Sequence, residues 1–181
     1  MERGAREAVM DGRDRGAPLR PDARHRSNEE AAGLGLDDLP LDDSVRRVVG
    51  RSAQLARRTG WTDVRTPHLF VAMMGEAAGP VAAILKRSDV NLALLERVIL
   101  SVVPSRGRAL PEGEAPALSE NVRRVLRRAV AMSEHVGASQ VSLEHLTAAF
   151  FVDGGGIVGE TLKKVSLAEL FLPRENGSGR I

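Results

Sequence analysis

The sequence predicts an all-α protein made by tandem duplication, two copies of a four-helix repeat packed as one pseudo-twofold helical bundle. Three observations carry that expectation. Positions recur in order at a constant offset of 77 residues: Leu41 matches Leu118, Val45 matches Val122, Arg46-Arg47-Val48 matches Arg123-Arg124-Val125, Gly60 matches Gly137, and His68-Leu69 matches His145-Leu146. The composition supports a packed core without favouring sheets, since 43% of the 181 residues are hydrophobic but only 3% are aromatic and tyrosine is absent, whereas strands draw on aromatic and β-branched residues. Within each copy the apolar residues follow helical spacing.

The match continues through Gly79 and Gly156, Val81 and Val158, and Leu85-Lys86 and Leu162-Lys163. It then drops to an offset of 75 at Val90 and Val165 and at Leu92-Ala93 and Leu167-Ala168, so the second copy is two residues shorter in one loop. Similarity held in register over that distance marks a repeated structural unit. A unit of this size buries too little surface alone, so the copies are expected to pack on each other.

Taken in order, residues 1–38 mix both charge signs with Gly and Pro and show no sustained apolar period, which reads as a flexible charged tail before a folded region at 39–172. The first copy, 41–103, opens with a helix whose face is Val45, Val48, Val49, Ser52, Ala53 and Ala56 and which Gly60 stops. Thr66 is the expected N-cap of the second helix, with Pro67 at its first position and its end near Met74. Helices at about 79–87 and 91–102 complete the copy. A linker at 104–117 leads to the second copy, 118–172, with helices at about 118–137, 143–152 and 156–164 and a last one cut short near Leu172. Residues 173–181 read as a flexible C-terminal tail.

Several function classes fall away on composition. With no cysteine, disulfides, thiolate metal sites and cysteine nucleophiles are excluded, and a reducing, cytoplasmic setting is expected. No apolar run approaches the roughly 20 residues that span a bilayer, and the N-terminus lacks the apolar core of a secretory signal. Lys+Arg of 26 against Asp+Glu of 24 give a net charge of +2, too small a field to argue for nucleic acid.

The doubled pattern, with its spaced Leu and Val, its Gly and its His-Leu pair, resembles the repeated N-terminal domain of the Clp unfoldases, the group that includes ClpA, ClpB and ClpC. The resemblance covers about residues 41–172. It implies an all-α double repeat that docks substrates or adaptor proteins for an ATPase ring. The sequence stops before any ATPase module, so the expectation is a stand-alone relative acting as an accessory subunit or adaptor, or else a truncated ATPase subunit. In ClpC relatives a glutamate before the shared histidine and a threonine near the start of the first helix hold phosphorylated arginine. The resemblance therefore implies Glu144 and Ser119 as docking residues in the second copy. In the first copy Pro67 and Asp42 stand there; proline offers no carboxylate to a guanidinium and Asp42 repels a phosphate, so at most one such site is expected.

Other residues invite sharper readings. The run at 148–161 mimics a phosphate-binding loop, but Glu160 stands where the lysine is required and the matching stretch keeps only Gly79 of its glycines, so a loop between short helices is expected. His68 and His145 have no neighbouring ligands at metal spacing; each is expected to be structural, bonding a backbone group and orienting the preceding loop. No serine sits in a nucleophile motif, and no cofactor, metal or catalytic residue is expected. Arg46, Arg47, Arg51, Arg57 and Arg58, with Arg123, Arg124, Arg127 and Arg128, make basic helix faces that support a rival nucleic-acid reading, although no aromatic stacking platform accompanies them. Trp61, unmatched by Ala138 in the second copy, is either a partner contact or a cover for the helix ends. The expected function is non-catalytic: docking of substrates, adaptors or unfolded clients for a Clp-type ATP-dependent protease or disaggregase, or its regulation.

Overall fold

The computed structural model describes residues 36, 38–103, 110–111, 114–152, 155–165 and 167. Helix α1, Asp43–Arg58, starts where the Asp42 carboxylate accepts the Val45 N–H at 2.7 Å, filling one of the donors a helix start leaves open. Its apolar stripe of Val45, Val48, Val49, Ala53 and Ala56 is buried, while Arg57 and Arg58 turn outward. Gly60 ends it at φ 75°, a left-handed conformation that lets the Trp61 N–H reach back to the Ala56 carbonyl at 2.8 Å. The same grammar repeats in α5, Glu120–His135: Ser119 caps the Val122 N–H, Gly137 sits at φ 72°, and the Ala138 N–H bonds Ser133 at 2.8 Å.

Between these long helices lie β1 at Asp63–Val64, α2 at Thr66–Met74, α3 at Pro80–Arg87, α4 at Leu92–Ser101 and β2 at Ala117–Leu118. After α5 come α6, Leu143–Phe151, and α7, Gly156–Lys164. The described residues therefore hold four helices in the first copy and three in the second. The fourth helix expected near Leu172 lies outside the described residues, as do most of the expected tails and part of the linker. Leu36, inside the stretch read as tail, is 2% exposed and belongs to the core.

The all-α class is right, but the copies are joined by something the apolar period does not show. Val64 pairs in parallel with Leu118, and Leu41 pairs in parallel with Val141. Each pairing joins a residue before one long helix to a residue after the other, so the two joints are images of each other under the repeat. The backbone bonds match as well: Asp42 N–H to Val141 O and Ser119 N–H to Val64 O are both 3.0 Å.

The duplicated arginines brace these joints. Arg46 donates to the carbonyls of Leu41 and Leu39 at 3.3 and 3.1 Å, and Arg123 donates to Leu118 at 3.0 Å. Hydrogen bonds from a charged donor contribute roughly 1.5–3 kcal/mol, part of which water regains once the donor is gone. Arg46→Met and Arg123→Met should each lower stability by about 1–2 kcal/mol in urea unfolding while keeping the helix-covering stem; unchanged midpoints in both would show that the guanidinium groups do not brace the joints.

The core lies where α2 and α6 meet the opposite copy, α2 against α5 and α7, α6 against α1 and α3. Pro67 through Met74 are all buried. Phe70 of α2 lies 5.7 Å from Phe150 and 6.0 Å from Phe151, ring centre to ring centre, tying the copies together through aromatic contacts.

Candidate functional site

The two histidines do the same local work. His68 Nδ1 accepts the Arg65 N–H and His145 Nδ1 accepts the Ser142 N–H, each at 3.1 Å. Each ring thus serves the residue at the N-cap of its own helix. The cap of α2 is Arg65 and not the expected Thr66; the ring three residues ahead accepts the Arg65 N–H, the part a glutamate or glutamine side chain plays in a capping box.

Their surroundings then diverge. His68 is fully buried, with Nε2 at 3.2 Å from Thr59 Oγ1, which in turn donates to the Leu55 carbonyl at 2.8 Å. Since Nδ1 accepts, Nε2 carries the proton and the imidazole is neutral. Burial pushes its pKa down to about 4, with Asp63 opposing and Arg65 adding to the fall. Trp61 closes this pocket: its ring packs edgewise on His68 at 6.4 Å between centres, and the Arg65 guanidinium lies 4.1 Å over the indole. At 3% exposure Trp61 does not fit the first of its two expected roles, a surface partner contact, and fits the second, a cover for the helix ends.

In the second copy Ala138 replaces that tryptophan and Val136 replaces Thr59. An open groove of about 650 Å³ lies between α5 and α6, walled by Arg128, Met132, His135 and Val136 on one side and Glu144, His145 and Ala148 on the other. Val136 is 66% exposed. Glu144 stands at the rim, exposed, with its carboxyl held below the ordinary range first by a hydrogen bond with Ser142, then by its own backbone N–H, and with a smaller contribution from His145. It is therefore ionised at neutral pH.

Ser119 does not share this groove. It caps α5 at the Val64 joint, whereas Glu144 follows the Val141 joint. The crossed pairing thus sets the two docking residues implied by the resemblance at different joints.

Much of the arginine surface is tied to the protein itself. Arg47 and Arg51 flank Glu76, 3.6 and 3.2 Å away, and Arg51 also donates to Gly75 O at 3.1 Å. Arg57 donates to Glu114 O and Arg127 pairs with Glu120. Arg124 and Arg128 line a small cavity of about 130 Å³ beside Phe150 and Ile157. The glycine run after α6 serves to start α7: Gly155 caps it at φ 72°, and a Cβ there would come within 3.2 Å of the Gly159 nitrogen. Glu160 pairs outward with Lys163 at 2.9 Å, which holds its carboxyl below the ordinary range. Among the described residues no group of three or more His, Asp or Glu side chains is arranged to hold a metal, and no helix is long and apolar enough to cross a membrane.

Comparison with known proteins agrees with this geometry. The family model "Clp repeat (R) N-terminal domain" matches residues 41–165. The chain is 27% identical over 121 residues to a ClpA homolog, an ATP-binding subunit of an ATP-dependent Clp protease, from Guillardia theta, covering 67% of this chain and 14% of that one. It is also 27% identical over 119 residues to the chloroplastic chaperone ClpC2 of Arabidopsis thaliana, covering 66% and 12%. The chain thus spans about an eighth of the length of these relatives. Among solved structures, the N-terminal domain of the chaperone ClpD from Arabidopsis thaliana superposes with a TM-score of 0.58 at 19% identity, covering 73% of this chain and 94% of that one.

Proposed function

From the premise that the chain belongs to the Clp repeat (R) N-terminal domain family, we propose that it is a non-catalytic docking module that recruits clients or adaptors to a Clp-type ATP-dependent protease or disaggregase, or regulates that machine. The observation that supports this most is the open α5–α6 groove with an ionised Glu144 on its rim. An apolar floor with a carboxylate at Glu144 and a guanidinium at Arg128 in its lining is the anatomy of a peptide-binding surface. Glu144 is the acceptor available to a cationic or guanidinium-bearing group, phosphorylated arginine included. Ser119, with its hydroxyl turned to Val122 N–H, would have to act as a separate contact.

The nucleic-acid reading loses its main support because Arg46, Arg47, Arg51, Arg57, Arg123 and Arg127 are all bonded within the protein. Affinity purification of the full chain from its own cells should recover Clp ring subunits or their clients, with Glu144→Lys reducing recovery several-fold. Recovery of nucleic acid alone, in amounts falling steeply with salt, would overturn the docking reading.

A further inference from the structure

The duplication supplies its own reference for the groove. Four residues of α1 and α2 that match its walls are closed off: Leu55, Pro67, His68 and Val71 are buried where Met132, Glu144, His145 and Ala148 are half-buried or exposed, while Arg58 is exposed like its match His135. The side chain that seals His68 is an indole, with a guanidinium stacked on its face. The backbone that carries this indole is the same in both copies, since Trp61 and Ala138 each follow a left-handed glycine and each donate a 2.8 Å bond back into the preceding helix. The second copy therefore keeps the frame of the pocket and lacks the ring.

We propose that the α5–α6 groove is a socket for an aromatic side chain borne by a partner peptide, with a cationic side chain of the same peptide resting against Glu144. The aromatic half follows from the ring that packs on His68 in the first copy, the match of the groove's His145, and from the apolar walls of Met132, Val136 and Ala148. The cationic half follows from charge: Glu144 is the carboxylate of the groove lining and stands where the first copy has Pro67, while Ser142 stands where the first copy has Arg65. The partner then brings both groups that Trp61 and Arg65 supply internally. This rests on the docking reading and names its ligand class.

The probe is a blocked peptide, Gly-Trp-Gly-Gly-Gly-Arg-Gly, which keeps the four-residue spacing of Trp61 and Arg65, titrated into the isotope-labelled full chain. Saturable methyl shifts are expected at Met132, Val136 and Ala148. Alanine for the peptide tryptophan should weaken binding at least about tenfold, as loss of an aromatic anchor does. Glutamate for its arginine should weaken it roughly two- to fivefold in parent protein, a difference that Glu144→Gln removes. Ala138→Trp should fill the socket and abolish the shifts while leaving the melting temperature unchanged or raised; Ala148→Glu, at an exposed wall position, blocks the groove with less demand on the fold. Shifts confined to other surfaces, or undiminished binding by both variants, would overturn the socket. Should Clp subunits still be recovered by a chain that ignores the peptide, the docking reading stands and only this ligand assignment falls.

Discussion

Phe70→Ala is expected to lower stability by about 3–5 kcal/mol, the range for removing a buried phenyl ring. Phe70 is fully buried and is the first-copy member of an aromatic cluster with Phe150 and Phe151, so the cavity opens at the seam between copies, with both sides losing contacts. Leu69, the preceding residue, and Leu146 of the same core are also fully buried, and a close-packed core leaves little room for collapse. Urea unfolding monitored by Trp61 fluorescence reads the first copy, and circular dichroism reads the helices of both. The two curves should shift together, because neither copy has a core independent of the seam. Separate transitions, or a loss under about 1 kcal/mol, would show two folding units in contact.

The second large effect is a dependence on pH. His68 has a folded pKa of about 4 against an ordinary value of 6.5. Below 6.5 the unfolded chain takes up a proton that the folded chain refuses. The stability due to the neutral ring is thus complete above pH 6.5 and is lost as pH falls toward 4, with a slope of at most about 1.4 kcal/mol per pH unit. The total should reach about 3 kcal/mol for a fall from 6.5 to about 4. His68→Gln keeps an acceptor for Arg65 N–H and a donor for Thr59 but does not titrate. Its stability should match the parent more closely at pH 4.5 than at pH 7.5; parallel profiles for the two proteins would mean that His68 takes up its proton equally in the folded and unfolded chains.

Much of this architecture is legible in the amino acids because the duplication prints each signal twice. A glycine at 60 and again at 137, or a histidine at 68 and again at 145, separates structural requirement from accident. The joints escape notice for a physical reason: two-residue strands are too short to show an alternating period, and a repeat offset matches like with like, whereas the chain pairs residue 64 with 118 and 41 with 141. That crossing is why Ser119 and Glu144, adjacent in a sequence argument, part company in space.

Trp61 is the instructive case. Its mismatch with Ala138 is visible from the sequence, but an unmatched aromatic suggests an exposed anchor and a cover for the helix ends equally. The structure buries the ring against His68, while an open groove lies beside the matching His145 of the other copy. Helical spacing carries no information about either.

The crossed joints also settle how the backbone edges close. A single copy on its own would present one short strand looking for an acceptor and one acceptor looking for a strand, and a molecule with both is open to endless head-to-tail addition. Joining two copies about a twofold lets each edge find its complement within one chain, 41 on 141 and 64 on 118. The tandem pair is therefore a covalently tethered, self-terminating dimer, and the linker between its halves acts as a guarantee of stoichiometry.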